Sequence, residues 1–207
     1  MHVAIPLYHR FTALDAVGPY TVLGYAPGWR VTFVAPQPGP VVDDLGTLSL
    51  VATHSLADVP RPDVVIVPGG PGTEQALADP ALLAWLTSVH EHTAWTASVC
   101  SGSLILAAAG ILQGRPATCH WGWRDLLSMF GAIPVDERVV VADKVVTAAG
   151  VSAGIDMALE LLGRVEGEAV ARTVQLAIEY DPQPPYDAGC ATRADDAQRQ
   201  AALALIG

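Results

Sequence analysis

The amino-acid sequence predicts an α/β fold whose central sheet is mostly parallel. The first observation is that strand-like and helix-like runs alternate along most of the 207 residues, which is typical of such sheets. The second is the segment "DVVIVPGGPG", in which four consecutive apolar residues precede a Pro/Gly turn. A short continuous apolar run of this kind is typical of a strand that is buried on both faces, as in a parallel sheet.

The first half of the chain supplies three strands, a hairpin and two helices. The predicted elements are, in order, a strand in "HVAIPLY", a helix in "LDAVGPYTVLGYA" despite its Gly18-Pro19 step, a strand in "RVTFVAP", a hairpin about Asp43-Asp44-Leu45-Gly46, the strand before "PGGPG", and a helix in "PALLAWLTSVHEH". Turn residues flank the predicted strands, which supports their boundaries.

The second half continues the alternation. The predicted elements are a buried strand at 96–99, a helix at 104–109 that ends at Gly110, a helix in "WRDLLSMFG", a β-pair around Asp143-Lys144, and two helices whose apolar faces carry Ile155, Leu159 and Leu162, then Val170, Val174 and Ile178. We expect one domain over residues 1–207, with about 181–207 forming an extended C-terminal tail whose final part can be helical.

Composition narrows the function classes. Half of the residues are apolar, 15% are charged, and the formal net charge is −10. This balance is typical of a densely packed globular protein and disfavours nucleic acids and anionic membranes as partners. The apolar run near residues 103–112 is too short to cross a bilayer. Three irregularly spaced cysteines do not predict a disulfide framework, so we expect a reducing cytoplasm.

Cys100 is the main candidate for chemistry. It follows a predicted strand and directly precedes a predicted helix, in "SVCSGS", and this arrangement resembles the strand–turn–helix geometry that exposes a nucleophile. The positive end of the helix dipole would favour the thiolate. The alternative is a small buried cysteine that only packs. Cys119 and Cys190 have no ligand spacing around them, so no metal site is expected.

Other candidates lie where strands end, which is where parallel sheets bind ligands. Gly70 and Gly72 of "PGGPG" could present backbone N–H groups to a substrate, or could form only a tight turn. Asp15 could exchange a proton with the thiol, or could be an ordinary first-turn acid. His120 could orient the thiol, or could simply be packed among tryptophans. Trp121, beside it, is the tryptophan best placed to contact a ligand.

Four segments together are similar to the ThiJ/PfpI superfamily. They are "VIVPGGPG", "SVCSGSLILAAAGIL", "GRPATCHW" and "TAAGVSAGIDMALELL". The resemblance implies a flavodoxin-like three-layer α/β/α sandwich with a cysteine at a nucleophile elbow and an acid from the first helix beside it. Cys100 matches that cysteine and Asp15 that acid. The superfamily commonly forms homodimers, so a homodimer is expected here too.

Two groups within this superfamily share the motif set: ligand-sensing domains of AraC-type regulators, and isonitrile hydratases. "QLAIEYDPQPPYDAGC" is similar to the C-terminal stretch of the hydratases, and too few residues follow it for a helix-turn-helix module. The resemblance therefore implies addition of water to an isonitrile, without a cofactor, through a Cys100 thioimidate. Asp15 would act as acid and base, and the N–H groups of Gly70 and Ser101 would stabilise developing negative charge.

The sequence departs from the hydratase pattern at two positions, and two other functions are alternatives to isonitrile hydration. Ser101 stands where the hydratase pattern has threonine, and Cys190 where a small residue such as serine is usual. One alternative is a small-molecule or redox sensor in which Cys100 is oxidised to a sulfinic acid. The other is a cysteine-dependent glyoxalase or amidase, because similar elbows serve several electrophiles.

Overall fold

The structure, a computed structural model, describes residues 1–206 and contains eleven strands, seven α-helices and two 3₁₀ helices. The strands are β1 His2–Pro6, β2 Arg30–Ala35, β3 Gly39–Val42, β4 Ser49–Ala52, β5 His54–Ser55, β6 Val64–Val67, β7 Trp95–Val99, β8 Pro116–Ala117, β9 Ile133–Pro134, β10 Val139–Ala142 and β11 Val145–Ala148. The α-helices are α1 Ala13–Gly24, α2 Thr73–Leu77, α3 Pro80–His90, α4 Gly102–Ala108, α5 Ala153–Glu166, α6 Glu168–Ala177 and α7 Asp196–Ile206. The 3₁₀ helices are Arg124–Phe130 and Ala191–Arg193.

Seven strands form the central sheet in the order β10-β11-β7-β6-β1-β2-β5. All neighbouring pairs are parallel except β10 with β11 at one edge. This arrangement confirms the predicted α/β fold with a mostly parallel sheet. β3 and β4 form a separate antiparallel pair, which is the hairpin expected about Asp43–Gly46.

Alternate residues of each central strand pack against helices on opposite faces of the sheet, which produces three layers. In β6, Val64 and Ile66 belong to one buried cluster, and Val65 and Val67 belong to the other. The first cluster includes residues of α1, α5 and α6, whereas the second includes residues of α2, α3 and α4. Burial on both faces explains why all the residues of β6 are apolar.

Several elements differ from the sequence prediction. "WRDLLSMFG" forms a 3₁₀ helix and not an α-helix, and α2, β5, β8 and β9 were not predicted. These missed elements have two to five residues, too few to show a hydrophobic period. The tail is extended only at its start, because α7 occupies 196–206. The prediction that the chain forms one domain stays a prediction.

The parallel strands bring four loops to one edge of the sheet. β1, β6, β7 and β11 are hydrogen-bonded neighbours, so the segments that follow their carboxyl ends lie side by side. These segments are 7–12, 68–72, 100–101 and 149–152. The first leads into the helix that carries Asp15, and the next two hold the PGGPG turn and Cys100, at the edge where parallel sheets bind ligands.

None of the helices in residues 1–206 is long and apolar enough to cross a membrane.

Candidate active site at the carboxyl edge of the sheet

Cys100 occupies a strained turn between β7 and α4. Its φ is +58°, a left-handed conformation that residues other than glycine rarely adopt and that clusters at functional sites. Its backbone N–H donates to the carbonyls of Ala148 and Ala149 at 3.1 and 3.0 Å, which fixes the turn against the end of β11. The predicted strand–turn–helix setting of Cys100 is therefore present.

The Cys100 side chain is almost completely buried. Burial raises the pKa of the thiol well above its usual range, and the nearby carboxylate of Asp15 raises it further. Hydrogen bonds from the backbone N–H groups of Ser101 and Val151 act in the opposite direction. Our expectation that the helix dipole alone would favour the thiolate is therefore wrong for this state of the protein, because desolvation outweighs the donors around the sulfur.

Asp15 is fully buried in the first turn of α1 and faces the same turn. Its Oδ2 accepts a hydrogen bond from Gly69 N–H at 2.8 Å, whereas Oδ1 is buried without a hydrogen-bond partner among the described residues. Burial raises the pKa of Asp15 to about 7, although hydrogen bonds from Gly69 and the Cys100 side chain lower it. Asp15 is thus a carboxyl group next to the thiol that exchanges its proton near neutral pH.

Ser101 joins the PGGPG turn to the Cys100 turn through its hydroxyl. Its Oγ accepts a hydrogen bond from Gly70 N–H at 3.0 Å and lies 2.8 Å from Thr73 Oγ1. Tyr8 continues this network, because its hydroxyl lies 3.3 Å from Thr73 Oγ1 and donates to Pro68 O at 2.8 Å. The Gly70 N–H thus has a partner within the protein in this structure, and its role as a charge-stabilising donor stays a prediction.

Gly72 and Gly69 allow a close approach of neighbouring backbone segments. Gly72 N–H donates to Arg10 O at 3.1 Å, and a Cβ at Gly72 would lie 2.0 Å from His9 O. A Cβ at Gly69 would lie 2.5 Å from Ser101 N. In this structure the Gly72 N–H therefore already has a partner, and its role in substrate binding stays a prediction.

His120 lies near the elbow but does not hydrogen-bond Cys100 within the described residues. Gly122 N–H donates to its Nδ1 at 3.1 Å, so the neutral ring carries its proton on Nε2. Burial lowers the pKa of His120 to about 4, and its ring packs directly against Gly150, where a Cβ would lie 2.5 Å from Cδ2. His120 is a neutral hydrogen-bond donor at neutral pH.

A cavity of about 870 Å³ opens beside this edge. Its walls include His120, Trp121 and the loop from Ala149 to Ser152, and the C-terminal segment covers it. The rings of His120 and Trp121 lie 5.4 Å apart, centre to centre. Cys100 and Asp15 do not line the cavity. Trp121 is therefore placed at a cavity next to the candidate catalytic pair, as a ligand-contacting residue would be.

Sequence reasoning missed three residues of the site. Gly69, and not its neighbours in PGGPG, holds the Asp15 carboxylate. Thr73 Oγ1 lies 2.8 Å from the Ser101 hydroxyl, and the backbone N–H of Val151, at φ +29°, acts to lower the pKa of Cys100. The turn "PGGPG" pointed to the first of these, but no local signal identified Val151, because its position follows from the pairing of β11 with β7.

The α/β fold agrees with the comparisons with known proteins. The DJ-1/PfpI family profile matches residues 1–164, and the chain belongs to the DJ-1/PfpI family. The sequence is 40% identical over 210 residues to the isonitrile hydratase of Pseudomonas putida, a match that covers 99% of this chain and 92% of that protein.

Two further relatives show how far the similarity extends. The crystal structure of a ThiJ/PfpI family protein from Pseudomonas syringae covers 99% of this chain and 85% of its own, with a TM-score of 0.94 and 38% identity. The glutathione-independent glyoxalase DJR-1.2 of Caenorhabditis elegans is 29% identical over 142 residues, which is 68% of this chain and 75% of that protein. These matches confirm the predicted resemblance to the ThiJ/PfpI superfamily and the predicted flavodoxin-like fold.

Proposed function

We propose that this protein hydrates isonitriles, converting R–N≡C and water into the formamide R–NH–CHO. The observation that carries the proposal is the buried pair formed by Asp15 and Cys100, in which the carboxyl has a pKa of about 7 beside a thiol in a strained turn. The 40% identity to an isonitrile hydratase along nearly the whole chain supports this substrate class.

The active form of the pair holds one proton. The pKa of each group is raised, so below about pH 7 both groups are protonated, and above it one proton remains. The two arrangements of that proton, on Cys100 or on Asp15, interconvert by a direct transfer. Transfer to Asp15 creates a thiolate next to a neutral acid, which is what a nucleophilic addition with proton donation requires.

In the first step the Cys100 thiolate adds to the terminal carbon of the isonitrile while Asp15 gives its proton to the same carbon. A C–S bond and a C–H bond form, the product is the thioimidate R–N=CH–S–Cys100, and Asp15 becomes a carboxylate. The terminal carbon of an isonitrile carries a lone pair, so it accepts the proton and becomes electrophilic. Ser101 N–H is the backbone donor available for charge that develops here.

In the second step Asp15 removes a proton from water as the oxygen adds to the thioimidate carbon, and the nitrogen takes that proton. The C–S bond then breaks, the oxygen–hydrogen bond gives its proton to Asp15, and R–NH–CHO leaves. Cys100 is expelled as a thiolate, which the N–H groups of Ser101 and Val151 stabilise. The pair ends with the single proton with which it began.

A glyoxalase is the second candidate, and the similarity to the Caenorhabditis elegans enzyme favours it over an amidase. We would assay the purified protein and Cys100→Ala with cyclohexyl isocyanide, methylglyoxal and a peptide amide. Turnover of the isonitrile alone, lost in Cys100→Ala, supports the proposal. Turnover of methylglyoxal alone would replace it with the glyoxalase. Stoichiometric oxidation of Cys100 without turnover would favour the sensor.

We also propose a substrate class, an oligomeric state and a cellular location for this protein. The substrate is a small neutral molecule and not a nucleic acid or a membrane lipid, in keeping with a net charge of −10. A homodimer is proposed from the family resemblance, and a cytoplasmic location from the three irregularly spaced cysteines. Size-exclusion chromatography with light scattering measures the oligomeric state directly.

A further inference from the structure

The hairpin formed by β3 and β4 is hydrogen-bonded to the loop that leads into α1. Arg10 N–H donates to Val42 O at 3.0 Å, and Asp44 N–H donates to Phe11 O at 2.9 Å. This loop is one of the four that meet at the carboxyl edge of the sheet. The hairpin, which lies outside the central sheet, is therefore in direct contact with the backbone that carries the candidate acid.

Thr12, the last residue of this loop, joins the hairpin to the candidate acid. Its hydroxyl donates to Asp44 Oδ2 at 2.6 Å. Its N–H donates to Gly69 O at 2.8 Å, and its carbonyl accepts the N–H of Asp15 at 3.1 Å. Because Gly69 N–H also holds the Asp15 carboxylate, Thr12 links Asp44 to both backbone segments that position Asp15.

The Thr12 side chain is used for the hairpin and not for its own helix. Thr12 is the N-cap residue of α1, but its side chain makes no capping hydrogen bond. A threonine at this position commonly accepts a hydrogen bond from an N–H of the first helical turn. Its hydroxyl instead donates to Asp44, which ties the hairpin to the start of α1.

Asp44 also supplies negative charge near Asp15. The titratable side chains close to Asp15 in the described part of the chain are Tyr8, Cys100, Cys119 and Asp44. Burial raises the pKa of Tyr8 well above its usual range and that of Cys119 to about 12, so both are uncharged at neutral pH. Asp44 is only half-buried, and a carboxyl group that reaches solvent is charged at neutral pH.

The charge of Asp44 acts on one member of the catalytic pair. After burial, it is a cause of the raised pKa of Asp15, whereas the pKa of Cys100 is raised by burial, Asp15 and Cys119. A nearby negative charge destabilises a carboxylate. It therefore favours the arrangement in which the shared proton is on Asp15 and the sulfur is a thiolate.

We infer that Asp44 is a positioning residue for the reaction: it holds the first turn of α1 through Thr12, and its negative charge favours the thiolate form of the Asp15–Cys100 pair. This inference rests on the proposed function, because the addition step uses that thiolate. Removal of the charge should change two properties together. The pair should lose its first proton at lower pH, and a smaller fraction of the pair should then be the thiolate.

Three substitutions separate the charge from the hydrogen bond. Asp44→Asn removes the charge and keeps an oxygen that accepts the Thr12 hydroxyl. Thr12→Val removes the hydrogen bond and keeps the charge, whereas Thr12→Ser keeps both. Asp125→Asn is the matched control for loss of one negative charge, because Asp125 is exposed and lies on the 3₁₀ helix whose Leu127 packs on the opposite face of the sheet from α1.

The first measurement is the pH dependence of kcat/KM for cyclohexyl isocyanide. We expect Asp44→Asn to raise the ratio of kcat/KM at pH 6 to kcat/KM at pH 8 at least about twofold, and to lower kcat/KM at pH 8 at least about twofold, as one partly screened charge would do. Asp125→Asn should change neither quantity. An unchanged ratio in Asp44→Asn, or an equal change in Asp125→Asn, would overturn the inference.

The Thr12 variants test the hydrogen bond to the hairpin. Thr12→Val should lower kcat/KM at pH 8 at least about tenfold, because the first turn of α1 loses its tie to the hairpin and Asp15 is held less precisely. Thr12→Ser should restore most of the activity. Wild-type kcat/KM in Thr12→Val would show that this hydrogen bond does not position Asp15.

Alkylation of Cys100 separates this inference from the proposed reaction, because it requires no isonitrile. Iodoacetamide reacts with the thiolate, and peptide mapping by mass spectrometry measures Cys100 apart from Cys119 and Cys190. We expect the ratio of the alkylation rate at pH 6 to that at pH 8 to be at least about twofold higher in Asp44→Asn than in the wild type, and unchanged in Asp125→Asn.

The two possible failures are then distinguishable. If no isonitrile is turned over but the alkylation ratio rises in Asp44→Asn, the proposed function fails and the role of Asp44 stands. If isonitriles are turned over but the ratio is the same in Asp44→Asn and the wild type, the role of Asp44 fails and the proposed function stands. A wild type whose Cys100 is not alkylated up to pH 8 would overturn both.

Discussion

Replacing Asp15 by asparagine should stabilise the protein increasingly as the pH rises. The pKa of Asp15 is about 7 in the folded protein against an ordinary value of 3.8, so the folded state holds this proton more tightly than the unfolded state. Stability from Asp15 is therefore complete below about pH 4 and is lost as the pH rises to about 7. The difference of about 3 pKa units corresponds to about 4 kcal/mol.

Asparagine stays neutral at every pH and keeps an oxygen to accept the Gly69 N–H. The free energy of unfolding of Asp15→Asn minus that of the wild type should rise by up to about 4 kcal/mol between pH 4 and pH 8. Urea denaturation at a series of pH values measures this difference. Asp125→Asn, a change at an exposed acid, is the control and should give a flat difference. A flat or falling difference for Asp15→Asn would refute the assignment of a buried, readily protonated carboxyl.

Three other predictions concern activity and folding. In the proposed mechanism kcat/KM for cyclohexyl isocyanide should be low at pH 5, rise through about pH 7 and stay level to about pH 9. The reason is that the active pair of Asp15 and Cys100 holds one proton. A decline in kcat/KM from pH 5 to pH 8 would contradict this mechanism. Ser101→Ala should reduce kcat at least about tenfold because it removes the hydrogen bonds that hold the PGGPG turn and Thr73 against the Cys100 turn, whereas Ser101→Thr keeps the hydroxyl and most of the activity; equal activities would show that the hydroxyl is dispensable. Gly72→Ala should lower the melting temperature strongly, since its Cβ would lie 2.0 Å from His9 O, and an unchanged melting temperature would show that the loop can move aside.

The sheet and the position of Cys100 could be predicted because both depend on local patterns. The four apolar residues of β6 and the turn after them identify a doubly buried strand, and the strand–cysteine–helix order identifies the turn. Asp15 was a candidate acid from its position in the sequence, and the family resemblance then favoured this role over that of an ordinary first-turn acid. A lone acid in the first turn of a helix is usually explained by the helix dipole alone.

A raised pKa for a desolvated Asp15 was predicted and agrees with the structure, but the protonation state of Cys100 could not be predicted from sequence, because it depends on burial. The dipole argument for a Cys100 thiolate considered one helix end, whereas the folded protein surrounds the thiol with apolar groups and a carboxyl. Similarly, the glycines of PGGPG were predicted as substrate donors, but their N–H groups bind Asp15, Ser101 and Arg10. Which N–H has a partner is decided by loops that meet only when the sheet forms.

The most direct test of the central claim is to look for the covalent intermediate on Cys100. We would mix the wild type with excess cyclohexyl isocyanide, quench within one turnover, and map the peptides by mass spectrometry. We expect an adduct of one isonitrile on the peptide that contains Cys100, no adduct in Cys100→Ala, and no formamide from that variant. Formamide production by Cys100→Ala at the wild-type rate would show that Cys100 is not the nucleophile.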